Sequence, residues 1–249
     1  MLEIKNLNCY YGKKQVLYDI NLCFEKGSFT AITGLNGSGK STLLSCISGN
    51  LKCMGSVCFN EKDILGLVPS ERAKLLSYLP QQVKSVPFTV EELVSFGRNP
   101  YGDVRGEKAK HIGRQSIEDT GIVHLSQKKV NQLSGGERQL SYFAMLLCQD
   151  TPVMLLDEPA TGMDIGREDK IYSIAKKKCT DSGKTVVAVM HNLSNAVKFA
   201  DSIVIMKEGR AVFCGSKKQC LEITAFEEFF GVKRYECQGE TGKEIFFSK

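Results

Sequence analysis

A glycine-rich segment between an apolar run and a helix-forming stretch limits this chain's fold more than any other feature. Residues 29–33 are apolar or β-branched, and they lead directly into the pattern Gly34-x4-Gly39-Lys40-Ser41. Glycines let the backbone curl so that successive N–H groups point at phosphate oxygens, and the N-terminus of a following helix adds its positive dipole end. The order strand, loop, helix predicts an α/β fold with a site for a nucleoside triphosphate.

Individual positions of this loop have predictable roles. Lys40 is expected to reach the β- and γ-phosphates, and the hydroxyl of Ser41 is expected to bind Mg²⁺. The other loop positions predicted to contact the nucleotide are Gly34, Asn36, Gly37, Ser38, Gly39 and Thr42. The helix should cover residues 40–48, because Gly49 stands where a helix stops. The loop alone does not determine which triphosphate binds or to what end.

Three further apolar runs predict the rest of a parallel sheet. They cover residues 153–156, 185–190 and 203–206. All three are continuous rather than alternating, which is typical of parallel strands covered on both faces. By contrast, residues 1–28 and 53–60 predict short antiparallel strands with glycine turns. Residues 89–133 are expected to be mainly helical.

The runs at 153–156 and 185–190 end in side chains suited to nucleotide chemistry. Asp157 and Glu158 follow the first, and His191 follows the second. Ligands of such sheets gather at the carboxyl ends of the strands. Asp157 can hold Mg²⁺ through water, and Glu158 can orient and deprotonate an attacking water. A pair of surface carboxylates and a structural histidine are the alternative interpretations.

Leu133-Ser134-Gly135-Gly136-Glu137 predicts a second phosphate-binding helix start, about a hundred residues after the first. Ser134 and Glu137 have the spacing of a helix capping box. Capping does not require two glycines between the caps, whereas adjacent glycines expose backbone N–H groups at a helix N-terminus. Together with the loop at residues 34–42, this motif resembles the ABC-transporter ATPase family, whose signature motif is Leu-Ser-Gly-Gly-Gln/Glu.

The resemblance covers essentially the whole chain and implies a fold. That fold is α/β, a P-loop NTPase of the ABC ATPase type, with a RecA-like parallel sheet core, an N-terminal antiparallel β subdomain and a helical subdomain. We expect a single ABC ATPase domain over residues 1–249. The helical subdomain would lie at about residues 84–137, and a C-terminal hairpin extension at about residues 226–249.

Two further motifs of the family can each be assigned to more than one residue of this chain. Tyr11 resembles the aromatic residue that stacks on adenine, with Tyr10 as the competing candidate and a core-packing role for either as the alternative. Gln81 resembles the Q-loop glutamine, which contacts Mg²⁺ and links to the membrane partner. Gln82 adjoins it, so the assignment can shift by one position.

The resemblance also implies how two copies act together. Asp164 resembles the D-loop aspartate, although the usual Ser-Ala-Leu-Asp is altered to Thr-Gly-Met-Asp here. His191 resembles the switch histidine that senses the γ-phosphate. In the implied head-to-tail dimer, each ATP with its Mg²⁺ lies between residues 34–42 of one copy and the signature residues of the other. Those signature residues are Ser134, Gly135, Gly136 and Glu137.

Residues 88–101 indicate which subgroup of the family the chain resembles. They begin with Phe-Thr-Val and end with Gly-Arg-x-Pro-Tyr, which resembles importers for iron-siderophores, haem and cobalamin. That subgroup implies an ATPase subunit that powers a separate integral membrane permease from the cytoplasmic face of the cell membrane, as a peripheral protein. An extracytoplasmic substrate-binding protein would be an indirect partner. The alternatives are a soluble ABC ATPase for iron–sulfur cluster assembly and a transporter subunit for another cargo.

Composition excludes several other classes. No apolar run exceeds seven residues, whereas a membrane-spanning helix needs about twenty, and the first residues do not have the pattern of a secretion signal. The net charge is only +5, and the basic runs at 176–178 and 217–218 predict solvated faces rather than a nucleic-acid site. Ten cysteines without any Cys-x-x-Cys pair favour free, buried thiols over a zinc site.

Overall fold

The computed structural model describes residues 1–104, 106–239 and 242–248. Arg105, Glu240, Thr241 and Lys249 lie outside the described residues, so the predicted helical subdomain and hairpin extension are described except at these positions.

Over the described residues the chain forms twelve strands, nine α-helices and three 3-10 helices. The strands are β1 (Leu2–Tyr11), β2 (Lys14–Phe24), β3 (Phe29–Gly34), β4 (Met54–Phe59), β5 (Lys62–Asp63), β6 (Leu76–Leu79), β7 (Val153–Asp157), β8 (Thr185–Val189), β9 (Ser202–Lys207), β10 (Arg210–Ser216), β11 (Lys233–Gly239) and β12 (Gly242–Ser248). The α-helices are α1 (Lys40–Ile47), α2 (Pro69–Leu75), α3 (Val90–Ser95), α4 (Glu107–Thr120), α5 (Gly135–Gln149), α6 (Ile165–Ser182), α7 (Leu193–Phe199), α8 (Lys217–Glu222) and α9 (Ala225–Phe230). The 3-10 helices are Phe96–Tyr101, Val123–Leu125 and Val130–Gln132.

The chain divides into two compact units. The first unit comprises Met1–Leu65 and Thr185–Lys249, and the second comprises Gly66–Lys184. The second unit is thus an insertion between the two parts of the first. The predicted boundaries of the helical subdomain and of the hairpin extension stay predictions.

In the first unit, β3 is the central strand of the nucleotide-loop region. It pairs in parallel with β8 on one side and with β9 on the other, and β10 adds an antiparallel edge next to β9. Every residue of β3 and of β8 is buried. Continuous burial explains the continuous apolar runs in the sequence, so the predicted parallel strands are confirmed.

A separate antiparallel sheet of the first unit has the strand order β2-β1-β4-β5. Its antiparallel pairing was predicted, and β4 is short with six residues, but the prediction of short strands was wrong for residues 1–28, because β1 has ten residues and β2 has eleven. Asn6 and Asp19 have positive φ angles of 52° and 46°, and the pairing shifts register on both sides of this region. Such bulges interrupt the alternation of apolar and polar residues that reveals a long strand in sequence.

Helix α1 begins directly after the glycine-rich loop, as predicted. It covers Lys40–Ile47, and Gly49 just beyond it has a φ angle of 71°. The predicted C-terminal hairpin is also present as β11 and β12, with Tyr235 opposite Phe246. Phe226 of α9 lies against Phe247 with a ring-centroid distance of 5.1 Å, which attaches the hairpin to the rest of this unit.

In the second unit, β6 and β7 form a parallel pair with Leu79 opposite Leu156. Strand β6 was not predicted, because it has only four residues and Pro80 follows at once. Helix α5 packs against α3 and α4, and its apolar face is fully or nearly buried, with Phe143 and Ala144 at 0% exposure. The mainly helical character of residues 89–133 is confirmed. Within the described part of the chain, no helix combines the length and the apolar character needed to span a membrane.

All ten cysteines are described and free, but only five are buried, so the expectation of buried thiols holds for half of them. Burial raises the pKa of Cys148 to about 11 and that of Cys220 to about 12.

Because only a thiolate reacts quickly, the buried thiols of Cys148 and Cys220 should resist alkylation at pH 8 in the native protein, whereas the exposed Cys237 should be labelled. Peptide mass spectrometry after brief maleimide treatment measures this, with a urea-unfolded sample as control. Native labelling of Cys148 as fast as that of Cys237 would contradict the burial.

Candidate nucleotide site

Two positions of the glycine-rich loop require glycine. At Gly34, an added Cβ would collide with the carbonyl oxygen of Met206 in the neighbouring strand β9. Gly39 is the N-cap of α1 and has a φ angle of 100°, a conformation that other residues rarely adopt. The loop backbone therefore follows a path that residues with a side chain could not follow, as an anion-cradling loop must.

Lys40 and Ser38 give the loop its polar interior. Lys40 is only 5% exposed, and its Nζ donates hydrogen bonds to the carbonyl oxygens of Gly34 (2.8 Å) and Leu35 (3.1 Å). The buried Oγ of Ser38 has no hydrogen-bond partner among the described residues. An unpaired buried hydroxyl costs roughly 1–3 kcal/mol, which a phosphate oxygen bound in the loop would recover.

The start of α1 is compatible with an anion. Ser41 and Thr42 lie in its first turn and are half-buried, and this turn contains no acidic residue. Backbone N–H groups and the helix dipole are therefore not neutralised by a carboxylate of the same turn. The residues of this loop fit a bound phosphate.

His191 and the two tyrosines also belong to the first unit. Because β3 and β8 are parallel with Ile32 opposite Val189, Gly34 and His191 lie at the same edge of their sheet. His191 is exposed there. Tyr10 is 43% exposed and Tyr11 is 54% exposed at the end of β1, so neither is a core residue, and both rings are accessible for stacking.

In the second unit, Glu158 directly follows β7 and is held in an unusual conformation. Its φ angle is 48°, its side chain is nearly buried at 9% exposure, and Oε2 accepts a hydrogen bond of 2.6 Å from Nε2 of Gln81. The hydroxyl of Thr161 donates a second hydrogen bond of 3.1 Å to the same oxygen. A left-handed backbone at a residue with a side chain costs on the order of 1–3 kcal/mol and tends to occur at functional sites.

Asp157, one position earlier, is the last residue of β7 and is 3% exposed. The hydroxyl of Tyr78 on β6 donates to its Oδ2 over 3.3 Å. The parallel pairing of β6 with β7 therefore brings the Tyr78 hydroxyl to this carboxylate. Tyr78 and Thr161 are site residues that the sequence interpretation missed. Thr161 could have been found, because it follows Glu158 by three positions, whereas Tyr78 could not be found without strand β6.

Ser134 and Glu137 form the predicted capping box at the start of α5. Oγ of Ser134 donates to Oε2 of Glu137 (2.7 Å), and the backbone N–H of Glu137 donates back to this Oγ (3.4 Å). The hydrogen bond from the Ser134 hydroxyl, with a second of 2.9 Å from the backbone N–H of Ser134 to the same oxygen, lowers the pKa of the Glu137 carboxyl below its ordinary value. Gly135 and Gly136 occupy the first positions of the helix, where N–H groups lack partners within the helix.

An open groove of about 430 Å³ lies within the second unit. Its lining includes Gln81 and Gln82, the signature glycines Gly135 and Gly136, and Thr161. The structure thus brings the two candidate glutamines and the glycines of the 133–137 motif to one surface of this unit. Both candidate glutamines line the groove, and Gln81 also donates a hydrogen bond to Glu158.

Asp164 is placed as a helix cap. Its side chain accepts a hydrogen bond of 3.0 Å from the backbone N–H of Arg167 at the start of α6 and forms an ion pair of 3.4 Å with Nε of the same arginine. The segment Thr161-Gly162-Met163-Asp164 therefore ends in an aspartate whose side chain is held by contacts with Arg167. Its carboxylate is exposed.

Comparison with known proteins shows which family the chain is similar to. A family model described as ABC transporter matches residues 17–161. The hemin import ATP-binding protein HmuV of Rhizobium meliloti is 40% identical over 245 residues, which cover 94% of this chain and 92% of that protein. The petrobactin import ATP-binding protein YclP of Bacillus subtilis is 35% identical over 234 residues, covering 92% of each chain. The dimeric structure of a post-hydrolysis state of the ATP-binding cassette MJ0796, bound to ADP and Pi, matches with a TM-score of 0.79 at 27% identity, covering 87% of this chain and 99% of that one.

Proposed function

The chain belongs to the ABC transporter family of ATPases, and on this basis we propose that it binds and hydrolyses ATP to power a separate membrane permease. The observation that carries the proposal is the pair of phosphate-binding helix starts in one chain. The loop at residues 34–42 opens α1 in the first unit, and Ser134 with its two glycines opens α5 in the second unit. Two such helix starts in one chain suit a dimer in which each copy completes the other's site.

In this proposal Glu158 is the general base. Its carboxylate is oriented by Gln81 and Thr161, so it is held ready to accept a proton from water. Lys40 and the loop N–H groups bind the phosphates, and His191, exposed at the same sheet edge as Gly34, contacts the γ-phosphate. Tyr11 stacks on the adenine, a contact worth about 1–3 kcal/mol.

Mg²⁺ would be held by three oxygen-bearing side chains. They are the hydroxyl of Ser41, the carboxylate of Asp157 and the amide of Gln81, and oxygen ligands are those that Mg²⁺ prefers. The bound ion would neutralise part of the charge that develops on the phosphate oxygens. Asp157 is kept in place for this role by the hydroxyl of Tyr78.

The dimer of this proposal is head to tail. The signature residues of one copy, Ser134 to Glu137, would contact the ATP held by residues 34–42 of the other, and Asp164 would lie near the contact between copies. The dimeric MJ0796 cassette supports two copies acting together. ATP binding would close the dimer and hydrolysis would open it, a shift of population between two states.

The names of the relatives support a cargo class. Proteins 40% and 35% identical to this chain are named as import ATP-binding proteins for hemin and petrobactin. We propose that the chain serves the import of an iron-siderophore, haem or cobalamin at the cytoplasmic face of the cell membrane, with an extracytoplasmic substrate-binding protein delivering the cargo. The matched relatives favour this role over iron–sulfur cluster assembly.

The test is stimulation of hydrolysis by a permease. The chain should co-purify with a polytopic permease, and its ATPase rate in liposomes should rise at least severalfold when a binding protein loaded with haem, ferric siderophore or cobalamin is added. The unloaded binding protein is the matched control. Absence of stimulation by every such permease would contradict the transport role, while co-purification with iron–sulfur assembly proteins would favour the alternative.

A further inference from the structure

The C-terminal end of α5 is held by a buried arginine. Arg98, in the 3-10 helix Phe96–Tyr101, is 6% exposed, and its Nη1 donates to the carbonyl oxygens of Cys148 (3.2 Å) and Gln149 (3.4 Å) at the end of α5. The ring of Tyr101 lies under the guanidinium, with 4.0 Å between Cζ and the ring centroid. We call Arg98 and Tyr101 the arginine clamp.

The backbone of Gly97, next to the arginine clamp, also lies close to α5. A Cβ added at Gly97 would lie 2.5 Å from the carbonyl oxygen of Met145 and 2.9 Å from the amide nitrogen of Gln149. Only glycine permits this approach, so the 3-10 helix and the last turn of α5 touch through their backbones. The Gly-Arg-x-Pro-Tyr pattern of the sequence therefore has a structural role within the second unit.

The chemistry of the clamp suits a helix C-terminus. The last carbonyl oxygens of a helix have no partner within the helix and carry the negative end of its dipole. A guanidinium satisfies both the hydrogen-bonding and the charge requirement, and the face of the tyrosine ring stabilises the cation from the other side. Nε of Arg98 is buried with no partner among the described residues, so the carbonyl oxygens and the ring are the groups that hold this side chain.

We propose that Arg98 is a positioning residue that determines the direction of α5 and thereby the placement of Ser134, Gly135 and Gly136 at its other end. Helix α5 has 15 residues and is thus about 22 Å long. A tilt of about 10° around its middle would displace the signature residues by about 2 Å. A displacement of about 1 Å is enough to cost on the order of 10²-fold in rate where groups must be aligned. The inference rests on the proposed function, in which these residues contact the ATP of a second copy.

The experiment separates ATP binding from ATP-dependent dimer formation. Arg98→Met is introduced into the full chain carrying Glu158→Gln, which keeps ATP bound, and dimer formation is followed by light scattering as ATP is added. We expect the dimer dissociation constant to rise at least tenfold, while the affinity of the monomer for a fluorescent ATP analogue changes less than twofold. With Glu158 intact, kcat should fall at least tenfold with little change in KM.

Two variants of Tyr101 keep the test decisive even where Arg98→Met does not fold. Tyr101→Phe retains the ring and should dimerise like the parent, whereas Tyr101→Ala should weaken the dimer and leave nucleotide affinity unchanged. The positioning role would be overturned if Tyr101→Ala dimerised as well as the parent. It would also be overturned if Arg98→Met or Tyr101→Ala lost nucleotide affinity and dimer affinity to the same extent. A parent that fails to dimerise with ATP would instead overturn the proposed function together with this inference.

Discussion

Replacing Glu158 with glutamine is expected to reduce ATP hydrolysis by about 10²–10⁴-fold, the usual contribution of a general base, while ATP binding persists. Glutamine has the same shape, and its Oε1 can still accept the hydrogen bonds that Gln81 and Thr161 donate in the native protein. The fold and the phosphate loop should therefore be unaffected. Phosphate release gives the rate, and titration with a fluorescent ATP analogue gives the affinity.

Glu208 provides a matched control for this variant. It also has a φ angle of 48° but is exposed in the turn between β9 and β10, so Glu208→Gln removes the same charge from the same backbone conformation. Its hydrolysis rate should stay within about twofold of the wild type, because substitutions of exposed side chains usually have small effects, and it is the backbone of the neighbouring Gly209 that contacts the loop, at Ser38. Near-normal turnover in Glu158→Gln would remove Glu158 from the role of base.

Replacing Lys40 with methionine is expected to weaken ATP binding by about 10–150-fold. Hydrogen bonds to charged groups contribute about 1.5–3 kcal/mol, and the ammonium of Lys40 is the cation that the loop encloses. Methionine has a similar length and can fill the buried space, so the fold should survive the loss of the hydrogen bonds to Gly34 and Leu35, and the main effect should be on nucleotide affinity. Titration calorimetry with ATP measures the affinity, and thermal unfolding checks the fold.

Lys26 is a suitable control for charge alone. It is exposed in the turn before β3 and has the same side chain, so Lys26→Met lowers the net charge equally. ATP affinity in this variant should match the wild type. Equal affinity in Lys40→Met would show that the phosphates are not held by this lysine.

Several features could be predicted because their signals are local. The loop at residues 34–42, the capping box at Ser134 and Glu137, and the buried strands β3, β7 and β8 all depend on residues within a few positions of one another. The predicted fold class, a P-loop NTPase fold of the ABC ATPase type, is confirmed by the family match and by the MJ0796 cassette. The N-terminal strands were predicted too short because bulges at Asn6 and Asp19 break their alternation.

Each motif is built from neighbours along the chain, so the amino-acid sequence alone identifies the residues that could bind phosphate, hold a metal ion or act as a base. Which of these residues contact and orient one another becomes visible in the folded chain. Gln81 and Glu158 are 77 positions apart, Tyr78 and Asp157 are 79 apart, and Arg98 contacts a carbonyl 50 positions away. Closing such long segments costs conformational entropy, and the burial of the whole unit offsets this cost, not the contact between the two residues alone. The residues adjacent to either partner in the sequence therefore do not indicate which distant residue it contacts.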